Sequence, residues 1–250
     1  MLWGAAPANA QTGPDYDMKF DLTYTPLRVS TSDPKGVCHA NMPAFTFQGE
    51  GKVYRGIMVG GSYTKGGGNG MVLNGLNDEG YVDRMECRDT DFRDLKLYAK
   101  IPFNFEAFSQ SSRVVGSEPK FSPFYGYVGY KNTSLTARYP STAPYIGKVN
   151  AESSSGVGIG LGCDVNWDPV GLYGQIVYYP AMFTKNVGVG VENGGTNDGT
   201  LRVWEWDLGV HSNFKDSPIQ ARIGYHFEQH QASNVKLNYD GFQIGATAEF

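Results

Sequence analysis

The feature that most constrains this chain is a strict alternation of apolar and polar residues, repeated in segments of about ten residues. The last segment, GFQIGATAEF, shows it, and its apolar face consists of Phe242, Ile244, Ala246, Ala248 and Phe250. A period of two is the repeat of a β-strand with one apolar face. The alternation runs to the last residue, so the final predicted strand ends on an aromatic side chain.

The same alternation recurs along the whole chain. It predicts ten strands, at about 16–29, 44–52, 55–64, 92–103, 120–132, 156–167, 171–184, 200–213, 218–230 and 238–250. The 33 glycines, 16 tyrosines and 14 phenylalanines also favour β structure. The net charge of −4 argues against nucleic acid as a partner. No apolar run is long enough for a transmembrane helix, whereas a spanning strand needs only about 9–11 alternating residues.

Three features distinguish a membrane barrel from a soluble β-sandwich, which is the competing interpretation. The strands are long. Connections alternate between tight turns, at 168–171 and 215–218, and long loops, at 31–43, 65–91, 140–155, 185–199 and 231–238. Aromatic residues that would anchor the barrel at the membrane interface lie near strand ends, namely Trp167, Trp204, Trp206, Tyr225 and Phe250. We therefore predict an all-β fold, a single antiparallel transmembrane up-and-down β-barrel of about ten strands, with eight or twelve as alternatives.

The N-terminal segment predicts export. Ala8-Asn9-Ala10 has the small-x-small pattern of a signal-peptide cleavage site after a short apolar stretch. We expect residues 1–10 to be a residual signal peptide and residues 11–250 to form the barrel domain. Because exported chains can oxidise their thiols, we also predict a disulfide between Cys38 and Cys87, with Cys163 free.

Together the Ala8-Asn9-Ala10 site, the alternating strands and the terminal Phe250 resemble the small outer-membrane β-barrel proteins of Gram-negative bacteria. This resemblance implies residence in the bacterial outer membrane, surrounded by its lipid. It also implies that the C-terminal strand is read by the barrel assembly machinery. A resemblance of architecture implies fold and location more than activity.

If the apolar faces meet lipid, the opposite faces line the lumen. The predicted lumen-lining residues are Lys19, Asp21, Lys96, Lys100, Asp164, Glu205, Asp207, His211, Arg222, His226, Glu228 and Glu249. Buried charges must be paired or hydrated. The set therefore fits either a polar core that fills the barrel or a narrow hydrophilic channel.

Catalytic candidates come from a partial resemblance to the omptin outer-membrane proteases, where an acidic pair and an acid–histidine pair activate water. The matching residues here are Asp89 and Asp91 with Glu228 and His230, although Glu228 stands where those enzymes have aspartate. Solvated loop charge is the alternative interpretation. No cofactor or metal is predicted, because His226 and His230 would lie about 13 Å apart on one strand.

The sequence thus predicts a non-enzymatic outer-membrane barrel with a structural or surface-interaction role, whose long extracellular loops meet an extracellular ligand. A narrow passive solute channel and an omptin-like hydrolase are the alternatives.

Overall fold

The structure, a computed structural model, describes residues 17–33, 36–54, 56–69, 71–76, 82–103, 123–138, 149–165, 169–187, 197–212, 217–232 and 235–250. These residues form eleven strands. They are β1 (Met18–Asp33), β2 (Gly36–Lys52), β3 (Met58–Gly68), β4 (Met71–Leu76), β5 (Val82–Pro102), β6 (Phe124–Arg138), β7 (Val149–Val165), β8 (Val170–Val187), β9 (Asn197–Ser212), β10 (Ile219–Ala232) and β11 (Val235–Glu249). Across these residues, no helix is long and apolar enough to cross a membrane.

All strands pair antiparallel with their neighbours, and the sheet closes on itself. β1 pairs with both β2 and β11, which joins the first strand to the last. β3 and β4 follow one another between β2 and β5, so they share one position in the wall. The eleven strands therefore occupy ten positions around a closed barrel, and the predicted all-β, up-and-down fold is confirmed.

The predicted long loops at 31–43, 65–91 and 231–238 are wrong, because the strands continue through most of each segment. The central parts of the predicted loops at 140–155 and 185–199 lie outside the described residues. β1 and β2 run to Asp33 and from Gly36, inside the segment expected to be a loop at 31–43. β3, β4 and β5 likewise cover most of 65–91. These stretches are rich in glycine and polar residues, which suggested loops. Their backbone is nevertheless paired in the sheet.

The outer surface carries an apolar belt around the end of the barrel where β1 begins and β11 ends, called the terminal end here. On β1 the outward residues Phe20 and Leu22 are 49% and 47% exposed, while the inward residues Lys19 and Asp21 are buried. A barrel with apolar residues outside and charges inside matches a lipid environment. The proposed lipid-facing alternation therefore describes the wall of this half.

Beyond the belt, towards the opposite or distal end, the two faces of the wall exchange polarity. On β1 the change falls at Thr25: further on, Leu27 and Val29 are buried inside while Arg28 faces outwards. A buried apolar cluster fills this part of the interior, formed by Leu27, Val29, Ala40, Met42, Ala44, Phe92, Leu135 and Tyr239. Apolar-inside and polar-outside is the pattern of a barrel wall surrounded by water.

Aromatic side chains mark the boundary between the two regions. Tyr24 packs on Phe45, and Tyr178 stacks on Trp204 with ring centroids 4.4 Å apart. A run of contacts joins Phe227, Trp206, Tyr225 and Phe242 at centroid distances of 5.2–5.6 Å. Such a girdle is typical of a membrane–water interface.

The predicted signal peptide at 1–10 and the predicted anchor Trp167 lie outside the described residues.

The backbone of both predicted disulfide partners is described. Cys38 stands opposite Leu73 and Cys87 opposite Met71, so β4 lies between the two cysteines. Two strand spacings amount to about 10 Å, wider than the Cα separation of about 4–7 Å that a disulfide spans. The predicted Cys38–Cys87 disulfide does not fit this register.

Candidate functional site: the charged interior

The centre of the charged interior is Lys131 on β6, which is fully buried. Its ammonium group contacts three carboxylates that come from three other strands: Asp94 at 3.2 Å, Glu205 at 2.9 Å and Glu228 at 2.7 Å. Asp94 lies on neighbouring β5, whereas Glu205 and Glu228 lie across the barrel on β9 and β10. Lys131 therefore ties opposite walls of the barrel together.

A second lysine and two histidines extend this layer. Lys96 contacts Glu205 and lies 3.5 Å from Asp94. His226 Nδ1 lies 2.8 Å from Asp207 Oδ1, while Nε2 of His230 contacts Glu228. Alternation explains why these residues meet, because each sits at an inward position of its strand.

Closer to the terminal end, a further set of ion pairs crosses the barrel. Lys19 on β1 lies 3.3 Å from Asp164 on β7 and 3.8 Å from Glu249 on β11. His211 Nε2 lies 3.2 Å from the other oxygen of Asp164. The contact between Lys19 and Asp164 again joins strands that are not neighbours in the sheet.

Two smaller groups connect these layers. Arg222 lies 3.4 Å from Asp21, and its guanidinium stacks 3.9 Å from the ring centre of Tyr173. Glu50 accepts hydrogen bonds from Lys100 at 2.6 Å and from the Tyr98 hydroxyl at 3.0 Å. All of these charged groups therefore have partners of the opposite sign.

The structure places all twelve predicted lumen-lining residues inside the barrel and joins them in these networks. Lys131, Asp94 and Glu50 also belong to this set but were not predicted from the sequence. Alternation identifies them: Lys131 follows the outward residues Val128 and Tyr130, and Glu50 follows outward Phe45 and Phe47. Lys131 was missed because it begins the polar run KNTS near the end of a predicted strand.

Glycines make room for the aromatic rings of the interior. A Cβ added at Gly158 would lie 2.5 Å from the Tyr179 ring, and one at Gly129 would lie 2.7 Å from the Tyr127 hydroxyl. Tyr179 is fully buried, and its ring centre lies 5.8 Å from the Lys131 ammonium. Tyr179 belongs to a second apolar cluster, with Met182 and Val203, packed beside the Lys131 layer.

Small cavities lie among the charges in the described part of the interior. A cavity of about 60 Å³ is lined by residues that include Lys19, Tyr125 and Asp164. Another of about 70 Å³ is lined by residues that include Asp94, Lys96 and His226. Cavities of this size hold a few water molecules.

The four residues of the omptin-like alternative do not form one site. Glu228 and His230 are buried inside the barrel. Asp91 lies on the outer face, where it pairs with Arg93 at 2.5 Å, and Asp89 is exposed. The inward residue Phe92 follows directly after Asp91, so the wall separates the acidic pair from the acid–histidine pair.

Glu205, Asp207 and His226 offer ligand atoms within 4.8 Å of one another, as a metal site would. However, Lys96 and Lys131 each contact Glu205. Two ammonium groups already supply the positive charge that a metal ion would bring, so this group is better explained as part of the ion-pair layer.

On the outer face, the remaining predicted anchors lie at the edges of the belt. Trp204 and Phe250 are exposed, and Trp206 and Tyr225 pack in the aromatic girdle.

The Tyr225 hydroxyl donates to Asp240 at 2.7 Å, and Arg28 donates to both oxygens of Asp240. The pKa of the Arg28 guanidinium is raised by its hydrogen bond to Asp240.

A closed wall with an apolar belt, an aromatic girdle and a charged interior defines the class: this is an outer-membrane type of β-barrel. No family model and no curated protein matches the sequence.

Among solved structures, the chain is similar to the outer membrane protease OmpT from Escherichia coli, with a TM-score of 0.56 and 13% identity over 96% of this chain and 98% of that one. The attachment invasion locus protein Ail of Yersinia pestis also matches, with a TM-score of 0.37 and 10% identity over 94% and 99% of the two chains. The translocator domain of autotransporter NalP from Neisseria meningitidis gives a TM-score of 0.44 and 8% identity over 95% and 90%. At such identities the likeness to OmpT shows the fold alone.

Proposed function

We propose that this protein is a non-enzymatic barrel of the bacterial outer membrane whose interior is sealed and whose outer surface carries its role. The observation that carries the proposal is the Lys131 layer, in which one fully buried ammonium group binds carboxylates from both sides of the barrel. The apolar clusters around Tyr179 and Tyr239 close the interior beyond it. A solute would have to break several buried ion pairs to pass.

The distal part of the wall supports a surface-interaction role. Its outer face is polar and its core is apolar, so it is built to stand in water beyond the membrane. The connections at this end are the part of the molecule that an extracellular ligand would meet first. The charged interior then serves as a rigid scaffold for them.

The C-terminal strand supports recognition by the barrel assembly machinery. Phe250 is 70% exposed, faces outwards and packs beside Phe20 at the terminal end. Its backbone exchanges hydrogen bonds with Met18, which joins the last strand to the first.

Conductance in a planar lipid bilayer tests the sealed interior. The refolded protein is added to a phosphatidylcholine bilayer, and insertion is checked by resistance of the barrel to protease and by its mobility on unheated gels. We expect no discrete current steps from protein that has inserted, under conditions where a general porin conducts. Reproducible steps that grow with salt concentration would overturn the sealed barrel in favour of the narrow channel.

A further inference from the structure

A groove of about 680 Å³ crosses the distal edge of the apolar belt on the outer surface, between β2, β3 and β5. Its lining includes Phe45, Phe47, Lys65, Gly67, Asp89 and Asp91. Gly67 stands directly opposite Asp91 in the β3–β5 register. Because glycine has no side chain, the outer surface of the wall is indented at Gly67.

The lining changes in a fixed order from the membrane outwards. Phe47 and Phe45 are 59% and 49% exposed in the belt. Lys65 stands opposite Phe45 on one side and opposite Arg93 on the other, at the distal edge of the belt. Asp91 lies one outward step further on, about 7 Å along the strand, and Asp89 lies beyond it. The order is apolar, then cationic, then acidic.

Of the two cations at this level, Lys65 and Arg93, only Arg93 pairs with a carboxylate in the described part of the chain. Lys65 and Arg93 are directly opposed across two strands, an arrangement that is unfavourable for like charges. Arg93 is compensated by Asp91, and this hydrogen bond raises the pKa of its guanidinium. Within the described part of the chain, no carboxylate pairs with Lys65. A negative group placed beside Lys65 would relieve the repulsion.

The acidic residues of the groove, Asp89 and Asp91, can still bind a positive group. Arg93 donates both of its hydrogen bonds to Oδ2 of Asp91, so this pairing does not use Oδ1. The backbone N–H of Asp89 donates to Asn69, and the Asp89 side chain is exposed. The groove therefore presents carboxylate oxygens one step beyond the ammonium group of Lys65.

We propose that this groove binds a lipid whose headgroup carries a phosphate followed by a primary ammonium group, as in phosphoethanolamine. An acyl chain lies along Phe45 and Phe47, the phosphate accepts from Lys65, and the ammonium donates to Asp91 and Asp89. From the membrane outwards, the groove carries a positive charge and then negative charges. The headgroup carries the negative phosphate and then the positive ammonium, so the two are electrostatically complementary. The site needs the barrel to lie in a membrane but does not depend on whether its lumen conducts.

Native mass spectrometry of the folded, detergent-solubilised protein tests this site. Phosphatidylethanolamine, phosphatidylglycerol and phosphatidylcholine with the same acyl chains are titrated separately, and the first bound lipid is counted. Exposed charge pairs are weak, so we expect phosphatidylethanolamine to bind about two- to fivefold more tightly than either other lipid. Lys65→Gln should weaken binding of both phosphatidylethanolamine and phosphatidylglycerol. The double variant Asp89→Asn, Asp91→Asn should remove the preference for phosphatidylethanolamine over phosphatidylglycerol.

Arg202→Gln is the matched control, because it removes an exposed outer-face cation from β9, away from the groove. It should leave the preference unchanged, and unheated gels should show that all variants remain folded. Equal binding of phosphatidylethanolamine and phosphatidylglycerol by the wild type would overturn the proposal, as would a loss in Arg202→Gln equal to that in Lys65→Gln. Displacement of the lipid by soluble glycerophosphoethanolamine at matched concentration would overturn the role given to the acyl chain.

Discussion

Replacement of Lys131 by methionine is the most direct test of the ion-pair layer. Methionine has similar length and no charge, so Lys131→Met leaves Asp94, Glu205 and Glu228 without their shared cation. Lys96 remains, but it contacts only Asp94 and Glu205 of these three. Breaking a buried ion pair by removing one partner costs about 3–5 kcal/mol. We expect a loss of this size in the free energy of unfolding.

Unfolding in urea measures this loss, with the barrel refolded into phosphatidylcholine vesicles and tryptophan fluorescence as the signal. Trp204 and Trp206 lie in the girdle, so their emission reports release from the interface. The control Lys185→Met removes an exposed lysine on the outer face of β8 and should change the free energy by less than about 0.5 kcal/mol.

A second substitution separates electrostatic coupling from lost packing. Glu228→Gln removes one of the carboxylates that lose their shared cation in Lys131→Met. The two substitutions together should therefore cost less than the sum of the single losses, with a coupling of about 0.5–3 kcal/mol. A loss below about 1 kcal/mol in Lys131→Met, or strictly additive effects in the pair, would refute the view that this layer holds the barrel walls together.

Three further substitutions test the wall and its assembly. Leu208→Arg puts a charge on the lipid-facing side of β9 and should destabilise the inserted barrel by about 2–4 kcal/mol, whereas unimpaired insertion relative to Leu208→Ala would contradict the face assignment. Gly158→Ala should cost about 1–3 kcal/mol in the same urea assay, because its Cβ would meet the Tyr179 ring, and Gly158→Ala with Tyr179→Leu should recover part of that loss. Phe250→Ala should slow insertion in vesicles containing the assembly machinery more than in pure lipid vesicles, and an equal effect in both would argue against recognition of the C-terminal strand.

The alternation of residues was sufficient to predict the closed barrel and the inward face of the six strands on which lumen-lining residues were predicted. It was sufficient because successive side chains of a strand point to opposite faces, whichever strands lie beside it. His211 and Glu249, for example, lie inside as their parity requires.

The pairing of charges across the barrel could not be predicted in the same way. Lys131 binds Glu228, which lies 97 residues further along the chain. That contact depends on the strand order, the register and the diameter of the closed barrel together. The local sequence determines only whether a residue points inwards or outwards. It therefore cannot predict which acidic residue contacts which basic residue.

The extent of the strands was missed for a different reason. A loop and a strand with a polar outer face share the same residue types when glycine is frequent, as in the stretch KGGGNG, where β3 continues to Gly68. In such stretches the inward residues carry the signal. Ala40 and Met42 on β2 show it, since they are buried inward residues within the segment that was expected to be a loop.

The exchange of polarity along the wall also fixes how deeply the barrel sits. Sliding outwards by one outward residue, about 7 Å along a strand, would bring Tyr24 and Phe45 into water. Sliding inwards by the same step would draw Arg28, Lys65 and Arg93 towards the hydrocarbon. Both movements are therefore unfavourable. The position along each strand at which the outer face changes from apolar to polar sets the height of the distal end above the membrane.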